Sequence, residues 1–192
     1  MIKADLRKIY LQKRQSLTEA EYADLNFRIQ QKFFDSVDLS FINTLHSFLP
    51  LKKNNEPDTW SIITRVRQEF PHIRISVPRV NHATKVIENF FFEGLDQIRQ
   101  NSWGIPEPAT GTPTPVEAID IVLVPLLAFD KKGNRVGYGK GFYDKFLMQC
   151  NPTCKRVGLS FFPPVEEISD TDSYDQLLTH VITPDSCYDF HA

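Results

Sequence analysis

Cysteine is scarce in this chain of 192 residues, and its three copies follow no repeated spacing: Cys150, Cys154 and Cys187. An odd and irregular set is typical of reduced cytosolic thiols and argues against a disulfide framework. Pro152 separates the first two cysteines, and the five histidines are scattered along the chain. Neither a redox pair nor a zinc site is therefore expected.

Long hydrophobic runs are lacking as well. No apolar stretch approaches the roughly 18–20 residues that a helix needs to span a bilayer, and residues 1–15 lack the apolar segment of a signal peptide. The net charge of −2 excludes broad attraction to nucleic acid or to a membrane surface. We therefore expect a cytoplasmic protein that acts on small molecules, with no nucleic-acid or membrane partner. The length predicts one domain over residues 1–192, and we take a monomer as the working expectation.

Hydrophobic periodicity predicts strands that alternate with helices. An apolar stripe over residues 2–17 predicts a first helix, and Thr18 with Glu21 forms a capping box that begins a second. Asp58 is placed to begin a third helix. The remaining predicted elements are strands at 44–49, 73–77, 86–92, 119–124, 156–160 and 181–183 and a helix over 142–150. This alternation predicts a three-layer α/β/α fold with a mainly parallel sheet, whereas residues 101–115, rich in proline, glycine and threonine, are expected to be irregular.

Glycine is sparse too, with eight copies, yet three of them alternate in one short segment. Residues 137–141, which we call the glycine-rich loop, follow the apolar run 121–127 and precede a predicted helix. A strand, a flexible basic loop and a helix start are typical of phosphate sites, because the backbone N–H groups can turn toward an anion. The spacing matches neither a Walker A loop nor GxGxxG, so a flexible turn stays open as the alternative. Four basic residues accompany the loop: Lys131, Lys132, Arg135 and Lys140.

Basic and acidic residues elsewhere could serve the same site. Lys3, Arg7 and Arg14 share one stripe of the first predicted helix, an arrangement that is more typical of a solvated face. Asp144 lies in the first turn of the helix after the loop, where an acid is favourable in any case. It could also bind Mg²⁺, which favours one or two carboxylates together with phosphate oxygens and water.

Two further groups of residues have both a functional and a plainer interpretation. One is an acidic cluster that could supply a second carboxylate or form a surface turn: Asp170, Asp172 and Asp175. The other is a set of aromatic residues that could stack on a planar ligand or pack in the core: Trp103, Phe142 and Tyr143.

Four segments, taken in order, carry a resemblance to a known family. The longest is VPLLAFDKKGNRVGYGKGFYD at 124–144, and the others are KADLR at 3–7, NEPDT at 55–59 and WGIPEP at 103–108. The longest segment resembles the signature of the 5-formyltetrahydrofolate cyclo-ligases, a P-x-x-x-F-D segment followed by G-x-R-x-G-x-G-x-G-[YF]-Y-D. The resemblance spans nearly the whole chain. It implies a fold like that of sugar-phosphate isomerases and CoA transferases.

The resemblance also implies an activity. It is the ATP- and Mg²⁺-dependent conversion of 5-formyltetrahydrofolate to 5,10-methenyltetrahydrofolate, with release of ADP and phosphate, through a phosphorylated formyl (iminophosphate) intermediate. Two alternatives stay open at this point. One is a folate- or nucleotide-binding regulatory protein without turnover, and the other is an ATP-independent isomerase or transferase of similar fold.

Roles for individual residues follow from the same resemblance. Lys140 and Arg135 are the expected catalytic cations. The expected ATP contacts are Lys3, Arg7, Arg135, Gly137, Tyr138, Gly139, Lys140, Gly141, Phe142 and Tyr143. The expected folate contacts are Glu56, Trp103, Tyr138 and Phe142. The expected Mg²⁺ ligands are Asp144 and Asp175, with most weight on Asp144 because Thr179 stands where the family often has a second aspartate.

Overall fold

A computed structural model describes residues 1–190 of the chain. Its helices are α1 (Lys3–Gln15), α2 (Glu19–Ser36), α3 (Thr59–Glu69) and α4 (Phe142–Leu147), with short 3-10 turns at Lys52–Asn54, Leu95–Gln97 and Val116–Ala118. Its strands are β1 (Thr44–Ser47), β2 (Arg74–Asn81), β3 (Val86–Phe91), β4 (Ile98–Gln100), β5 (Pro106–Pro108), β6 (Ile121–Val124), β7 (Ala128–Phe129), β8 (Arg135–Val136), β9 (Lys155–Leu159), β10 (His180–Ile182) and β11 (Cys187–Asp189). No helix among these residues is long and apolar enough to cross a membrane.

The predicted helix starts are confirmed by their capping hydrogen bonds. The Thr18 hydroxyl accepts from the backbone N–H of Glu21 at 3.2 Å, and the Glu21 carboxylate accepts from the backbone N–H of Thr18 at 2.8 Å. Asp58 accepts from the N–H of Trp60 at 3.1 Å and so begins α3. These bonds satisfy backbone donors that have no partner within the helix.

Two local predictions were wrong. The helix predicted over 142–150 ends at Leu147, because the chain turns there and Pro152 disfavours helical geometry in the residue before it. Part of the segment 101–115 is regular, since β5 pairs antiparallel with β4. The prolines of β5 are compatible with an edge strand, where a missing N–H donor leaves no neighbouring acceptor unsatisfied.

The central sheet has seven strands in the order β11-β10-β9-β6-β1-β2-β3. Every pairing from β10 to β2 is parallel, and only the outer strands β11 and β3 are antiparallel to their neighbours. The mainly parallel α/β sheet predicted from the sequence is therefore confirmed.

Both faces of this sheet are covered, which produces the three layers. Leu45 and Leu123 point into a core that includes Phe33 of α2 and Ile62 of α3. On the opposite face Val122 and Val124 pack with Phe146 and Leu147 of α4, among other residues. A third and smaller core joins Leu6 and Tyr10 of α1 to Leu127, Ala128, Val136 and Ile168, so that α1 lies against the β7–β8 hairpin.

Strand order determines where a ligand can bind. From β1 the chain proceeds to β2 on one side, whereas β6 is followed by β9 and then β10 on the other side, so β1 and β6 flank the point at which the winding reverses. Ligands of such sheets bind outside the carboxyl ends of the strands at this point. Two segments leave the sheet there: residues 48–58 after β1, and residues 125–141 after β6.

Candidate active site

The β7–β8 hairpin supports the glycine-rich loop, and the fully buried side chain of Asp130 organises its turn. One carboxylate oxygen of Asp130 accepts from the backbone N–H groups of Lys132 at 2.9 Å and Asn134 at 3.0 Å. The other accepts from the N–H of Ile168 at 3.2 Å. These bonds satisfy a buried charge and fix the hairpin against the segment after β9. Sequence reasoning assigned Asp130 no role beyond the shared motif.

The glycine-rich loop offers unused backbone donors. Among residues 1–190, no protein acceptor takes a hydrogen bond from the backbone N–H groups of residues 138–144. Gly139 and Gly141 have φ values of +84° and +69°, a left-handed conformation that glycine adopts without strain. Free backbone N–H groups in a glycine-rich turn are typical of anion-binding loops. Because α4 has only six residues, we assign the attraction to the loop rather than to the helix dipole.

Helix α1 places a cation against this loop. The Arg7 side chain donates from Nε to the Gly137 carbonyl at 2.9 Å. A Cβ atom built on Gly139 would lie 3.1 Å from Arg7 Cζ, so the guanidinium and the loop backbone are in close contact. The Arg7 guanidinium thus lies against the loop, and its role in ATP binding stays a prediction.

A second set of charges lies beneath the loop. Arg135, with 5% of its side chain exposed, donates to Asp144 at 2.7 Å, and the N–H of Gln176 donates to the same Asp144 oxygen at 3.1 Å. In the neighbouring pair Lys3 donates to Asp175 at 2.5 Å. Gln176, which bonds Asp144, directly follows Asp175 in the chain. The two predicted metal ligands, Asp144 and Asp175, therefore lie near each other, and Lys3 from the start of the chain pairs with the second of them.

These carboxylates are compatible with Mg²⁺. Asp144 uses one oxygen for Arg135 and Gln176, and no described residue hydrogen-bonds its other oxygen. Residues 1–190 contain no cluster of three or more histidine, cysteine or acidic side chains that could enclose a metal. One or two protein carboxylates are what Mg²⁺ uses when phosphate oxygens and water supply its other ligands. Thr179 is not available for this purpose, because its hydroxyl accepts from the backbone N–H of Arg156 at 2.9 Å.

Lys140 occupies the exposed tip of the glycine-rich loop. Its ammonium makes no hydrogen bond or ion pair with the described part of the chain. By contrast, Lys131 and Lys132 of the hairpin turn pair with Glu166 and Glu167 at 2.6 and 2.8 Å. The flanking lysines are thus neutralised surface residues, whereas Lys140 retains its charge for a ligand.

A buried polar cluster joins the loop to the segment after β1. It consists of Glu56, Tyr138 and Arg14, each of which has a side chain mostly or fully withdrawn from water. Burial raises the pKa of Glu56, and this shift is opposed by hydrogen bonds from the Tyr138 hydroxyl and the Leu51 N–H and by the positive charge of Arg14. Burial also raises the pKa of Tyr138, so its hydroxyl stays protonated. The predicted folate contacts Glu56 and Tyr138 are therefore neighbours.

The prediction that Arg14 lies on a solvated face of the first helix was wrong. Only 1% of the residue is exposed, because the β7–β8 hairpin and residues 48–58 cover this part of α1. Its guanidinium donates to the Leu126 carbonyl in a short hydrogen bond and to the Tyr138 hydroxyl at 3.3 Å. The sequence signal was present, since Arg14 shares a stripe with Lys3 and Arg7, but it did not indicate burial.

Trp103 and Phe142 both lie near His82, a residue to which the sequence analysis gave no role. The His82 ring lies 3.9 Å from the Trp103 ring, centroid to centroid, and 6.0 Å from that of Phe142. Trp103 is 55% exposed, so one face is open to a planar ligand. No pattern in the sequence singled out His82, which lies in the turn between β2 and β3.

Tyr143 is an aromatic residue for which the sequence left two interpretations open. Its side chain is partly buried and packs against the core, with its ring 5.9 Å from that of Phe146 and 6.3 Å from that of His46. Burial raises the pKa of Tyr143 and lowers the pKa of His46 to about 3, so both side chains are neutral. The buried Tyr143 hydroxyl has no hydrogen-bond partner among the described residues, which favours core packing, and its role in ATP binding stays a prediction.

Surface concavities of about 450 and 560 Å³ lie elsewhere, along α3. Trp60 and Thr64 line both, and neither contains a predicted site residue. The candidate site is therefore defined by its chemistry and its place in the sheet rather than by cavity volume.

The chain is similar to proteins of one known family. Residues 1–184 match the model of the 5-formyltetrahydrofolate cyclo-ligase family. The chain is 32% identical over 162 residues to the 5-formyltetrahydrofolate cyclo-ligase of Mycoplasma pneumoniae, covering 84% of this chain and 86% of that protein. It is 39% identical over 88 residues to the enzyme of that name from Haemophilus influenzae, covering 44% of this chain and 47% of the relative.

The fold is shared with a solved structure. The 5,10-methenyltetrahydrofolate synthetase of Aquifex aeolicus, determined by NMR, superimposes with a TM-score of 0.84, covering 100% of this chain and 94% of that one at 24% identity. At this identity the likeness establishes the arrangement of helices and strands alone.

Proposed function

The chain belongs to the 5-formyltetrahydrofolate cyclo-ligase family, and from this premise we propose that it converts 5-formyltetrahydrofolate to 5,10-methenyltetrahydrofolate using ATP and Mg²⁺. One observation carries the nucleotide part of the proposal. A loop of free backbone N–H groups, accompanied by Arg7, Arg135 and Lys140, lies at the reversal point of the sheet beside Glu56. Triphosphate is the anion that such a loop suits, and Glu56 is an acceptor for the N–H groups of a pterin.

The chemistry explains why ATP is needed. The formyl oxygen is a poor leaving group, so it first attacks the γ-phosphorus and displaces ADP, which yields an iminophosphate at N5. N10 then attacks the formyl carbon and loses its proton, and the C–O bond breaks to release phosphate. Positioning and charge stabilisation are the main tasks of the protein in phosphoryl transfer.

The residues divide these tasks between the two substrates. Backbone N–H groups of residues 138–144 bind the phosphates, and Arg7 holds the loop from α1. Lys140 and Arg135 stabilise the charge that develops on the transferred group. Lys3 supports this site through its pair with Asp175.

Asp144, with Asp175 beside it, would hold Mg²⁺ through the oxygens that make no hydrogen bond. The chemistry that Mg²⁺ would supply is neutralisation of charge on the phosphates of ATP. The folate is positioned by Glu56 and Tyr138, with Trp103 and Phe142 on either side of His82 against its planar rings.

The first experiment is an absorbance assay for methenyltetrahydrofolate with purified protein, 5-formyltetrahydrofolate and Mg²⁺, with and without ATP. ATP-dependent product formation is expected. Product without ATP would favour an isomerase or transferase. Binding of both ligands without product would favour a regulatory protein. The intact glycine-rich loop, and the β7–β8 hairpin below it with the hydrogen bonds of Asp130 satisfied, argue against both of these alternatives.

Three glycine variants test the loop itself. Gly139→Ala is expected to weaken ATP binding by roughly tenfold, because it adds left-handed strain of about 1–2 kcal/mol and a contact with the Arg7 guanidinium. Gly141→Ala carries the strain alone, since nothing lies within 4 Å of an added Cβ. Gly137→Ala carries neither and so measures the effect of an added methyl group alone. Calorimetric ATP titration would contradict the proposal if the three variants bound equally.

We propose that residues 1–192 form one domain, since strands drawn from residues 44 to 189 form one continuous sheet. We also propose a cytoplasmic location and monomeric state. The location is supported by the free thiols of Cys150, Cys154 and Cys187.

A further inference from the structure

Arg14 contacts every segment that builds the candidate site from the carboxyl ends of β1 and β6. Its guanidinium bonds the Leu126 carbonyl, just after β6, and the Tyr138 hydroxyl in the glycine-rich loop. Its own carbonyl accepts from the Asn55 side chain at 2.8 Å, which fixes the residue next to Glu56. One residue near the end of α1 therefore connects the helix to both halves of the site, through its side chain to Leu126 and Tyr138 and through its backbone carbonyl to Asn55.

The electrostatics of Arg14 are unusual for a structural residue. No carboxylate among residues 1–190 lies within ion-pair distance of it, and its buried Nε has no hydrogen-bond acceptor there. Burial accordingly lowers the pKa of Arg14, while the nearby charge of Glu56 acts in the opposite direction. A buried charge without a direct partner destabilises a fold, so such a charge is more readily explained by a functional role.

From this geometry, and resting on the proposed function, we infer that Arg14 is a positioning residue for the folate site. It bonds the Tyr138 hydroxyl and the Leu126 carbonyl and so fixes the loop beside Glu56, and its positive charge favours the ionised form of the buried Glu56 carboxylate. An ionised carboxylate accepts hydrogen bonds only, which is the state required to hold N–H donors of a ligand. The reacting atoms themselves are contacted by other residues.

A purely structural role predicts a different result. If Arg14 only docked α1 on the hairpin, its replacement would lower stability and leave the ionisation of Glu56 unchanged. The groups that face Glu56 are Arg14 from α1, Tyr22 from α2, Tyr138 from the loop and Tyr143 from α4. The tyrosines are neutral, because burial raises the pKa of all three. Arg14 is thus the one cation facing Glu56 within the described chain.

The test is the titration of Glu56 by NMR in full-length protein labelled with ¹³C at the glutamate carboxyl, with the resonance assigned from Glu56→Gln. Arg14→Gln is expected to raise the pKa of Glu56, since removal of a nearby positive charge favours the protonated carboxyl. Arg14→Lys should raise it less. Lys13→Gln removes an exposed charge from the same helix turn and is the matched control.

Kinetics supply a second readout. As the pKa of Glu56 rises, the ionised fraction at a given acidic pH falls, so the acid limb of kcat/KM for folate should move to higher pH in Arg14→Gln. Tyr138→Phe should move it in the same direction, because the hydroxyl bond that stabilises the carboxylate is lost, and this variant keeps the test valid if Arg14→Gln does not fold. An unchanged titration of Glu56 in either variant, when folded, would overturn the inference.

Failure of the proposed function would look different. A protein without ATP-dependent turnover would refute that proposal, whereas the NMR titration would still report whether Arg14 controls the ionisation of Glu56.

Discussion

Lys140→Ala is expected to lower kcat by about 10²–10³-fold and to leave the dissociation constant for 5-formyltetrahydrofolate nearly unchanged. Lys140 lies between the free N–H groups of the glycine-rich loop, and its ammonium has no partner in the described chain. Its charge is therefore available where negative charge develops during phosphoryl transfer. The planar rings of the folate are expected to contact Trp103 and Phe142 instead, which the substitution does not touch.

The control for Lys140→Ala is the same substitution at another exposed lysine outside the glycine-rich loop. Lys145 is exposed, lies on α4 and, within the described residues, makes no ion pair. Lys145→Ala should retain normal turnover. Steady-state kinetics with a separate fluorescence titration of folate would measure both quantities, and a parallel loss of turnover and folate affinity in Lys140→Ala would refute the assignment.

Asp144→Asn is expected to reduce kcat by about two orders of magnitude and to raise the Mg²⁺ concentration needed for half-maximal activity. The amide keeps an oxygen that can accept from Arg135 and Gln176, so the local fold is preserved. It loses the negative charge that attracts the metal. Turnover measured over a range of Mg²⁺ concentrations at fixed ATP gives the answer directly.

The control for this variant lies in the acidic turn. Asp172 is 59% exposed and lies 3.8 Å from Lys3, and Asp172→Asn should leave the Mg²⁺ dependence unchanged. Thermal unfolding of Asp144→Asn would reveal any loss of stability from the weakened Arg135 contact. A wild-type Mg²⁺ dependence in a folded Asp144→Asn protein would remove Asp144 as a metal ligand.

Local sequence signals were sufficient for the main elements of the fold. The capping box at Thr18 and the N-cap at Asp58 begin helices because their side chains satisfy neighbouring N–H donors, which depends on a few adjacent residues only. The apolar residues after position 119 predicted a buried strand at 119–124, and β6 lies at the centre of the sheet with both faces covered.

The missed residues depend on distant parts of the chain. Periodicity placed Arg14 on a polar stripe, but only the tertiary fold determines that the hairpin and residues 48–58 cover it. His82 and Trp103 are 21 positions apart in the sequence, and they are neighbours only because the two turns that contain them pack together. The β4–β5 pairing was missed because a proline-rich composition usually indicates irregular structure. Proline lacks a backbone N–H, and a strand tolerates it at the edge of a sheet, where that N–H would have no partner strand.

The ion pair between Lys3 and Asp175 has a consequence for how the protein is made. These residues are 172 positions apart in sequence, and the backbone N–H of Lys3 bonds Asp170 across nearly the same separation. During synthesis α1 therefore leaves the ribosome long before its partners exist. The early chain carries a basic helix whose partner carboxylates are not yet made, and the Lys3 contacts beside the phosphate site form only after residues 170–175 have been synthesised. Contacts of such long range also slow folding, so we expect that catalytic competence is gained at the end of biogenesis rather than gradually.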